Sequence, residues 1–379
     1  MDQDTFRSLY QRSPDVAFRA PGRVNCIGDH TDYQGGFSLP IAISLATTVC
    51  LGWRDDAQVA IASEFESEHW TGSLLEIHQQ AQKRPLHGLY GFVVAAVDLL
   101  SIERGFNLSV TSTLPAGSGL SSSAALSLSL IACLTHPQTL PPAQLIPPAQ
   151  AVEKQYLGVS TGILDQTAIT YAKAGQAVLI DAGQRSAETI PFDFASAGYR
   201  FWIIDTKTPR SLAASAYDTR VDESQRASQA LGLPNLRQAK PDDWQCIADP
   251  VLLRRARHII TENLRVQAVV EAAGRSDWAE VAELLSQSHQ SLRDDYDVST
   301  AILDRTVEAV LGIQNRLVRG KAGARLTGAG FGGSVVALVP EAASSLLQDA
   351  LQGAFEPAER PVAIAVDQAS EGLKRLLPE

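Results

Sequence analysis

The sequence offers almost no covalent or metal-binding framework. Its four cysteines (Cys26, Cys50, Cys133 and Cys246) are scattered, with no CxxC pair and no histidine at metal-ligand spacing. They read as reduced, mostly buried thiols, which suits the cytosol. Long apolar runs are also missing. The longest, GFVVAAVDLL and AALSLSLIACL, fall well short of the roughly 20 residues needed to cross a bilayer. The opening segment MDQDTFRSLYQRSPD is polar and mixed in charge, unlike a secretory signal. A cytoplasmic protein with no membrane attachment is the expectation. There is no Lys/Arg block either: 32 basic residues stand against 42 acidic ones, a net charge of −10. Such a balance argues against a general binder of nucleic acid or anionic membrane, while leaving room for a local basic site for a phosphorylated small molecule. No GxxxxGK[ST] phosphate loop, internal repeat or low-complexity tail is found.

What is present fits two α+β lobes, each a sheet covered by helices. A length of 379 residues exceeds one typical domain. VAFRAPGRVN, ISLATTVCLGWR and the alternating GFNLSVTST read as strands. Pro137 to Pro148 reads as a loop, or a loop leading into a helix, because its proline density rules out a helix interior. PPAQAVEKQYLG reads as a helix closed by Gly158. The texture changes around Ala182 to Ala197, which places the lobe boundary there and divides the chain into 1–190 and 191–379. Beyond it, RFWIIDTK is strand-like and four amphipathic stretches are helical. The tail then reads strand, turn, strand, helix, strand.

Four segments carry the chemistry. LPAGSGLSSSAAL, Leu114 to Leu126, is a Gly/Ser turn opening a helix. Its backbone N–H groups, its hydroxyls and the positive helix end suit a polyphosphate, although a plain strand-to-helix turn with Ser caps is an equal reading. GAGFGG, Gly328 to Gly333, spells the dinucleotide fingerprint, but strand-like SVVALV follows it where a helix is required. A turn that lets backbone approach a ligand is the better reading. Between Ala20 and Pro40, Arg23, Asp29, His30 and Asp32 stand among turn-forming glycines, a mixture suited to hydrogen bonding sugar hydroxyls. Asp165 sits among small and apolar residues in GVSTGILDQTAITYA. Alone it reads as an N-cap; opposite Arg23 it would be a carboxylate held ionised and positioned at a hydroxyl.

In order and character these segments resemble the GHMP small-molecule kinases, and within them the galactokinases. PGRVNCIGDHTDYQGGFSLPIAI is similar to the galactokinase signature, LPAGSGLSSSAAL to the family's ATP-phosphate loop, GILDQ to its aspartate segment and ARLTGAGFGGSVVALV to its third motif. SLAASAYDTR and SLRDDYDVS also have galactokinase counterparts. The resemblance implies transfer of phosphate from ATP to the anomeric hydroxyl of D-galactose. It also implies the GHMP fold: a ribosomal-protein-S5-domain-2-like N-terminal lobe and a ferredoxin-like C-terminal lobe, with the site between them. By resemblance Arg23 and Asp165 are the catalytic pair, and Asp29, His30, Asp32, Gly162 and Tyr217 hold the sugar. Gly117, Ser118, Gly119, Leu120, Ser121, Ser122, Gly328 and Gly330 surround ATP, and Ser123 with Glu153 binds Mg2+.

Two departures stand out. Asp29 replaces the usual Glu, a side chain shorter by about 1.5 Å, and His87 stands where many galactokinases carry a Trp near the base. Ala329 and Leu326 are conservative changes from the usual Gly and Met. Two alternatives accompany galactokinase. One is a kinase of the same fold for N-acetylgalactosamine, galactosamine or L-arabinose. The other is a non-catalytic sugar-sensing regulator, against which the complete serine loop, Arg23 and Asp165 all argue. A monomer is the expectation, with an oligomer left open.

Overall fold

The computed structural model describes residues 2–64, 69–115, 119–138, 140–158, 162–208 and 213–377. Helix α1 (Asp2–Tyr10) is followed by strands β1 (Val16–Ile27), β2 (Phe37–Trp53), β3 (Gln58–Ser63) and β4 (Trp70–Ser73). Helices α2 (Leu74–Gln80) and α3 (Gly88–Leu99) precede β5 (Phe106–Ser112), after which come α4 (Ser122–Leu134), α5 (Pro142–Ala151) and α6 (Leu164–Tyr171). Strands β6 (Gln176–Asp181), β7 (Ser186–Pro191) and β8 (Tyr199–Asp205) lead into four helices: α7 (Ala213–Ala230), α8 (Pro250–Gly274), α9 (Trp278–Asp294) and α10 (Ala301–Leu311). The chain closes with β9 (Gly323–Thr327), β10 (Ser334–Pro340), α11 (Ser344–Ala354), β11 (Val362–Val366) and the short β12 (Lys374–Arg375).

These strands make two sheets, in keeping with the expected α+β architecture. The first has eight strands in the order β12-β1-β2-β5-β3-β4, with β6 also paired to β2 and β7 to β6. The second has four, in the order β11-β8-β10-β9. The end of the chain thus returns to the first sheet, where β12 pairs with Phe18 and Arg19 of β1. Among the described residues no helix is long and apolar enough to cross a membrane.

Local sequence explains the features that position the site. Pro21 and Gly22 fall inside β1, and the pairing with β2 shifts register between Pro21 and Arg23. A strand tolerates proline at such a bulge, where a ladder bond is already lost and the next side chain is re-aimed. Gly22 is needed for close approach: a Cβ there would lie 2.6 Å from the Leu120 carbonyl oxygen. Helix α4 is built of Ala, Leu and Ser and is buried at almost every position from Ala124 to Leu134. Small side chains let it lie deep against β1 and β2.

One expectation is overturned. Proline was to exclude a helix interior across 137–148, yet Pro147 and Pro148 lie inside α5. Pro142 begins that helix, where the missing N–H costs nothing. Each inner proline removes an internal hydrogen bond, and burial of Leu145, Ile146 and Ala149 offsets the loss. The chain then widens into a π-helical turn, Val152–Tyr156, that buries Glu153.

A continuous apolar core runs from the first sheet into the second. It includes Val24, Ile41 and Leu128 on one side and Phe192, Phe201, Trp278 and Val336 on the other. The opposite face of the second sheet, with Trp202, Ile204 and Val335, packs with Leu303 and Val307 of α10 and Leu347 of α11. At Gly323 the packing of β9 on α9 is closest, since a Cβ there would stand 1.9 Å from the Ala282 carbonyl oxygen. Gly323→Ala is therefore expected to destabilise the protein by about 1–3 kcal/mol or more through forced separation of strand and helix. Urea unfolding measures this, and an unchanged midpoint would contradict the packing described.

Candidate active site

Arg23, re-aimed by the bulge in β1, reaches the head of α6. Its Nε and Nη2 donate to Asp165 Oδ1 at 2.9 and 2.6 Å. Its Nη1 donates to the Gly119 carbonyl at 2.8 Å, in the turn before α4. The second Asp165 oxygen, Oδ2, accepts from the Ser121 hydroxyl at 2.5 Å. Asp165 is therefore no N-cap but the meeting point of a guanidinium and the serine turn. Both partners are shielded, with side chains 13% and 24% exposed, so water screens their attraction less than at the surface. The remaining exposure leaves the carboxylate reachable.

Beside this pair lies a polar corner lined with aromatic rings. Asp32 opens a short 3-10 turn after the signature glycines. A Cβ on Gly162 would stand 3.2 Å from Asp32 Oδ2, so a side chain there would crowd that carboxylate oxygen. Burial, with the nearby charges of Asp29 and Asp165 adding, pushes Asp32 up to about 6. His30 stacks near Tyr217 and Tyr296, with centroids 5.6 and 4.9 Å away. Its Nε2 lies 3.1 Å from the Ala329 carbonyl oxygen and its Nδ1 2.8 Å from the Tyr33 hydroxyl. A carbonyl can only accept, so Nε2 carries the proton and Tyr33 donates to Nδ1. Burial pushes His30 down to about 4 and Tyr217 up, the latter helped by the Asp32 charge.

Asp29 is placed differently from its neighbours. Its Oδ2 is ion-paired with Arg325 Nη2 and its Oδ1 accepts the Gly328 N–H at 3.1 Å. Arg325 is fully buried in β9 and also donates to the Cys26 carbonyl at 3.0 Å. Both Asp29 oxygens are thus engaged by the second sheet. The turn from Gly328 to Gly333 joins β9 to β10, with positive φ at Gly328, Gly330, Phe331, Gly332 and Gly333. No helix follows, as a dinucleotide fingerprint would need. Gly330 has no room for a side chain, since a Cβ would lie 2.4 Å from the Val298 carbonyl oxygen.

The other expected residues gather around α4. Ser122 is its first residue, and Leu120 accepts the Arg23 backbone N–H at 3.2 Å. Gly117 and Ser118 lie outside the described residues. Ser122 and Ser123 line a cavity of about 270 Å3 that is also walled by Leu89, Phe92, Val110 and Leu126. His87, just before α3, is exposed. Glu153 is 2% exposed and its Oε1 accepts from Gln166 Nε2 at 2.7 Å. Burial and the Asp165 charge push its carboxyl up, while a hydrogen bond from Ser123 opposes them. Among the described residues no basic side chain pairs with Glu153, and no three His, Cys, Asp or Glu side chains cluster as a metal site.

Sequence reasoning missed Arg325, Tyr33, Tyr296 and the bond from Ser121 to Asp165. For Arg325 a signal existed: it is the one charged residue in the otherwise uncharged strand GARLT.

Comparison with known proteins bears on this geometry. The galactokinase galactose-binding signature matches residues 4–52. The N-terminal and C-terminal domains of GHMP kinases match 91–173 and 269–357. A galactokinase of Staphylococcus carnosus is 36% identical over 351 residues, 88% of each chain. The crystal structure of Lactococcus lactis galactokinase complexed with galactose superposes with a TM-score of 0.87 and 30% identity, covering 99% of this chain and 98% of that one. Methanococcus jannaschii mevalonate kinase, at 21% identity and a TM-score of 0.65 over 92% of this chain and 96% of its own, shares the fold.

The buried imidazoles also set an acid limit on stability. Burial holds His30 and His289 down to about 4 and His258 to about 3. In the unfolded chain each takes its proton near 6.5, so between about pH 6.5 and 4 the unfolded state binds more protons and stability falls as pH falls. Asp32 and Glu153, raised in the fold, act in the opposite sense and reduce the loss. The urea midpoint is expected to be lower at about pH 5 than at about pH 7, with a smaller difference in His258→Gln. A midpoint independent of pH would refute the assignment of these rings as neutral.

Proposed function

The chain belongs to the galactokinase family of GHMP kinases, and from that premise we propose that it transfers the γ-phosphoryl group of ATP to the anomeric hydroxyl of D-galactose, yielding galactose 1-phosphate and ADP. The observation that carries the reading is the convergence of Arg23, Asp165 and the serine turn beside Asp32, His30 and Tyr217.

In this reading Asp32, His30, Gly162 and Tyr217 form the sugar corner, with the Asp32 carboxylate accepting from a hydroxyl. Asp29 acts through Arg325 and Gly328, holding His30 and the glycine turn at the same edge. The anomeric oxygen forms a bond to the γ-phosphorus while the bond from that phosphorus to the β–γ bridging oxygen breaks, and ADP leaves with the electron pair. The hydroxyl proton faces Asp165, which accepts it or orients it. Arg23 holds Asp165 in place and offsets charge on the phosphoryl group. Phosphoryl transfer depends mainly on such alignment and charge neutralisation.

The nucleoside end fits the cavity beside Ser122, and the N–H groups from Gly119 to Ser122 suit its phosphates. Gly328 and Gly330 would close over ATP from the second sheet. Ser123 and Glu153 would hold Mg2+. Both are hard oxygen donors, and a buried carboxylate with no basic partner among the described residues suits a cation whose other ligands are phosphate and water. Bound there, Mg2+ would neutralise phosphate charge. The division into 1–190 and 191–379 remains our proposal for the two lobes, with β12 returned to the first sheet.

A coupled assay over galactose, N-acetylgalactosamine, galactosamine and L-arabinose tests the reading, with galactose expected to be turned over best. Turnover of another sugar but not galactose would overturn it. Asp165→Ala is expected to lower kcat by roughly a hundredfold or more while ATP affinity stays within a few-fold. Equal loss of both would contradict its role. Because Asp32 is ionised only above about 6, the KM for galactose should rise as pH falls from about 7 to about 5. In Asp32→Asn it should be high throughout. A KM that tracks pH identically in both proteins would remove Asp32 from the sugar corner.

A further inference from the structure

We propose that Ser121 is a positioning residue for Asp165, and that its hydroxyl does not serve the ATP phosphates. The inference rests on the reading of Asp165 as the group that meets the sugar hydroxyl. It begins from two local departures. Ser121 has φ 61 and ψ 41, a left-handed conformation that side-chain-bearing residues seldom adopt. It also occupies the N-cap of α4, where a serine ordinarily sits in extended backbone and accepts from the N–H groups of the first turn. This serine makes no side-chain cap bond. Neither the backbone nor the helix end gains from a hydroxyl here.

The hydroxyl instead crosses to Asp165 Oδ2 at 2.5 Å. A serine has one hydroxyl proton to donate. Given to Asp165, it cannot also be given to a phosphate. The geometry shows what the bond accomplishes. Two of the three Arg23 guanidinium nitrogens converge on Oδ1, so the guanidinium alone would leave the carboxylate free to rotate about that oxygen. Ser121 fixes the second oxygen from a different element, and the carboxylate plane is then set by β1 on one side and the α4 turn on the other. Oδ2 keeps an acceptor site, and a sugar hydroxyl meeting it would find it already aimed. The uncapped N–H groups at the start of α4 stay available to the phosphates.

Ser121→Gly is the sharpest test, because glycine accepts the left-handed backbone without strain and removes only the hydroxyl. Thermal unfolding should be unchanged or shifted upward. With galactose and ATP, kcat should fall on the order of ten- to a hundredfold while the KM for ATP stays within about twofold of wild type. Ser121→Ala should lose kcat similarly with a lower unfolding midpoint. In an Asp165→Asn background, Ser121→Gly should add little further loss, since the two act as one unit. A raised KM for ATP at near-normal kcat would assign the hydroxyl to phosphate and overturn the proposal. Unchanged kinetics, or fully additive losses in the double variant, would do the same. Wild-type protein inert toward galactose, or active Asp165→Ala, would instead break the broader reading. Normal Ser121→Gly beside an inactive Asp165→Ala breaks this inference alone.

Discussion

A fully buried guanidinium holds the two sheets in register. Arg325 projects from β9 to the Asp29 carboxylate and the Cys26 carbonyl, at the end of β1. Glu262 of α8 lies 4.0 Å away and accepts from the Gly28 N–H, Ser288 and Arg265. Against a burial that would raise it, these neighbours, Arg265 foremost, hold Glu262 down to about 2. Burying such charges is costly unless each is paired and hydrogen-bonded, so the arrangement adds little net stability. It does add geometry. A planar fork satisfies a carboxylate and a carbonyl only in one orientation, and that orientation brings the Gly328–Gly333 turn against the signature loop.

The rest of the site is built outward from that junction. With the turn fixed, Ala329 meets the His30 imidazole and Thr327 donates to the Asn25 carbonyl at 2.9 Å. His30 in turn orders Tyr33, whose hydroxyl lies 2.7 Å from that of Tyr296. A neutral ring, two phenols and Tyr217 frame the space that Asp32 faces. On the far side the bulge at Pro21 sends Arg23 to Asp165. The end we propose for the sugar is therefore held by contacts between the sheets, and the end we propose for the phosphoryl group by contacts within the first sheet and its helices.

Much of this was legible in the chain itself, for identifiable reasons. Period-two alternation marked β5, and helical spacing marked α7 to α10. Strand-like SVVALV after GAGFGG ruled out a dinucleotide turn, and β10 begins there. The meeting of Arg23 with Asp165 could be posed as a condition because charges in apolar surroundings need partners. Other features were not readable. The prolines of α5 argued against a helix that tertiary burial nevertheless supports. The partner of Asp29 lies 296 residues along the chain, beyond any local pattern. The bond from Ser121 to Asp165 was not readable either, because serine at a helix start usually caps or binds anions. The left-handed backbone of Ser121 is invisible in the sequence.

The uninterrupted apolar core joining both sheets has a practical corollary for dissecting the molecule. Phe192, Phe194 and Trp278 meet edge to face as one aromatic group, with centroids 5.0 to 6.2 Å apart, inside the same core as Val24 and Leu128. Severing the chain between its lobes would present those rings and the inner faces of α8 and α9 to solvent on one fragment, and the strand faces of β1 and β2 that they cover on the other. Neither fragment would be a soluble module to borrow for fusion or exchange. A chimera with a relative that is joined between the sheets would have to rebuild this shared interior.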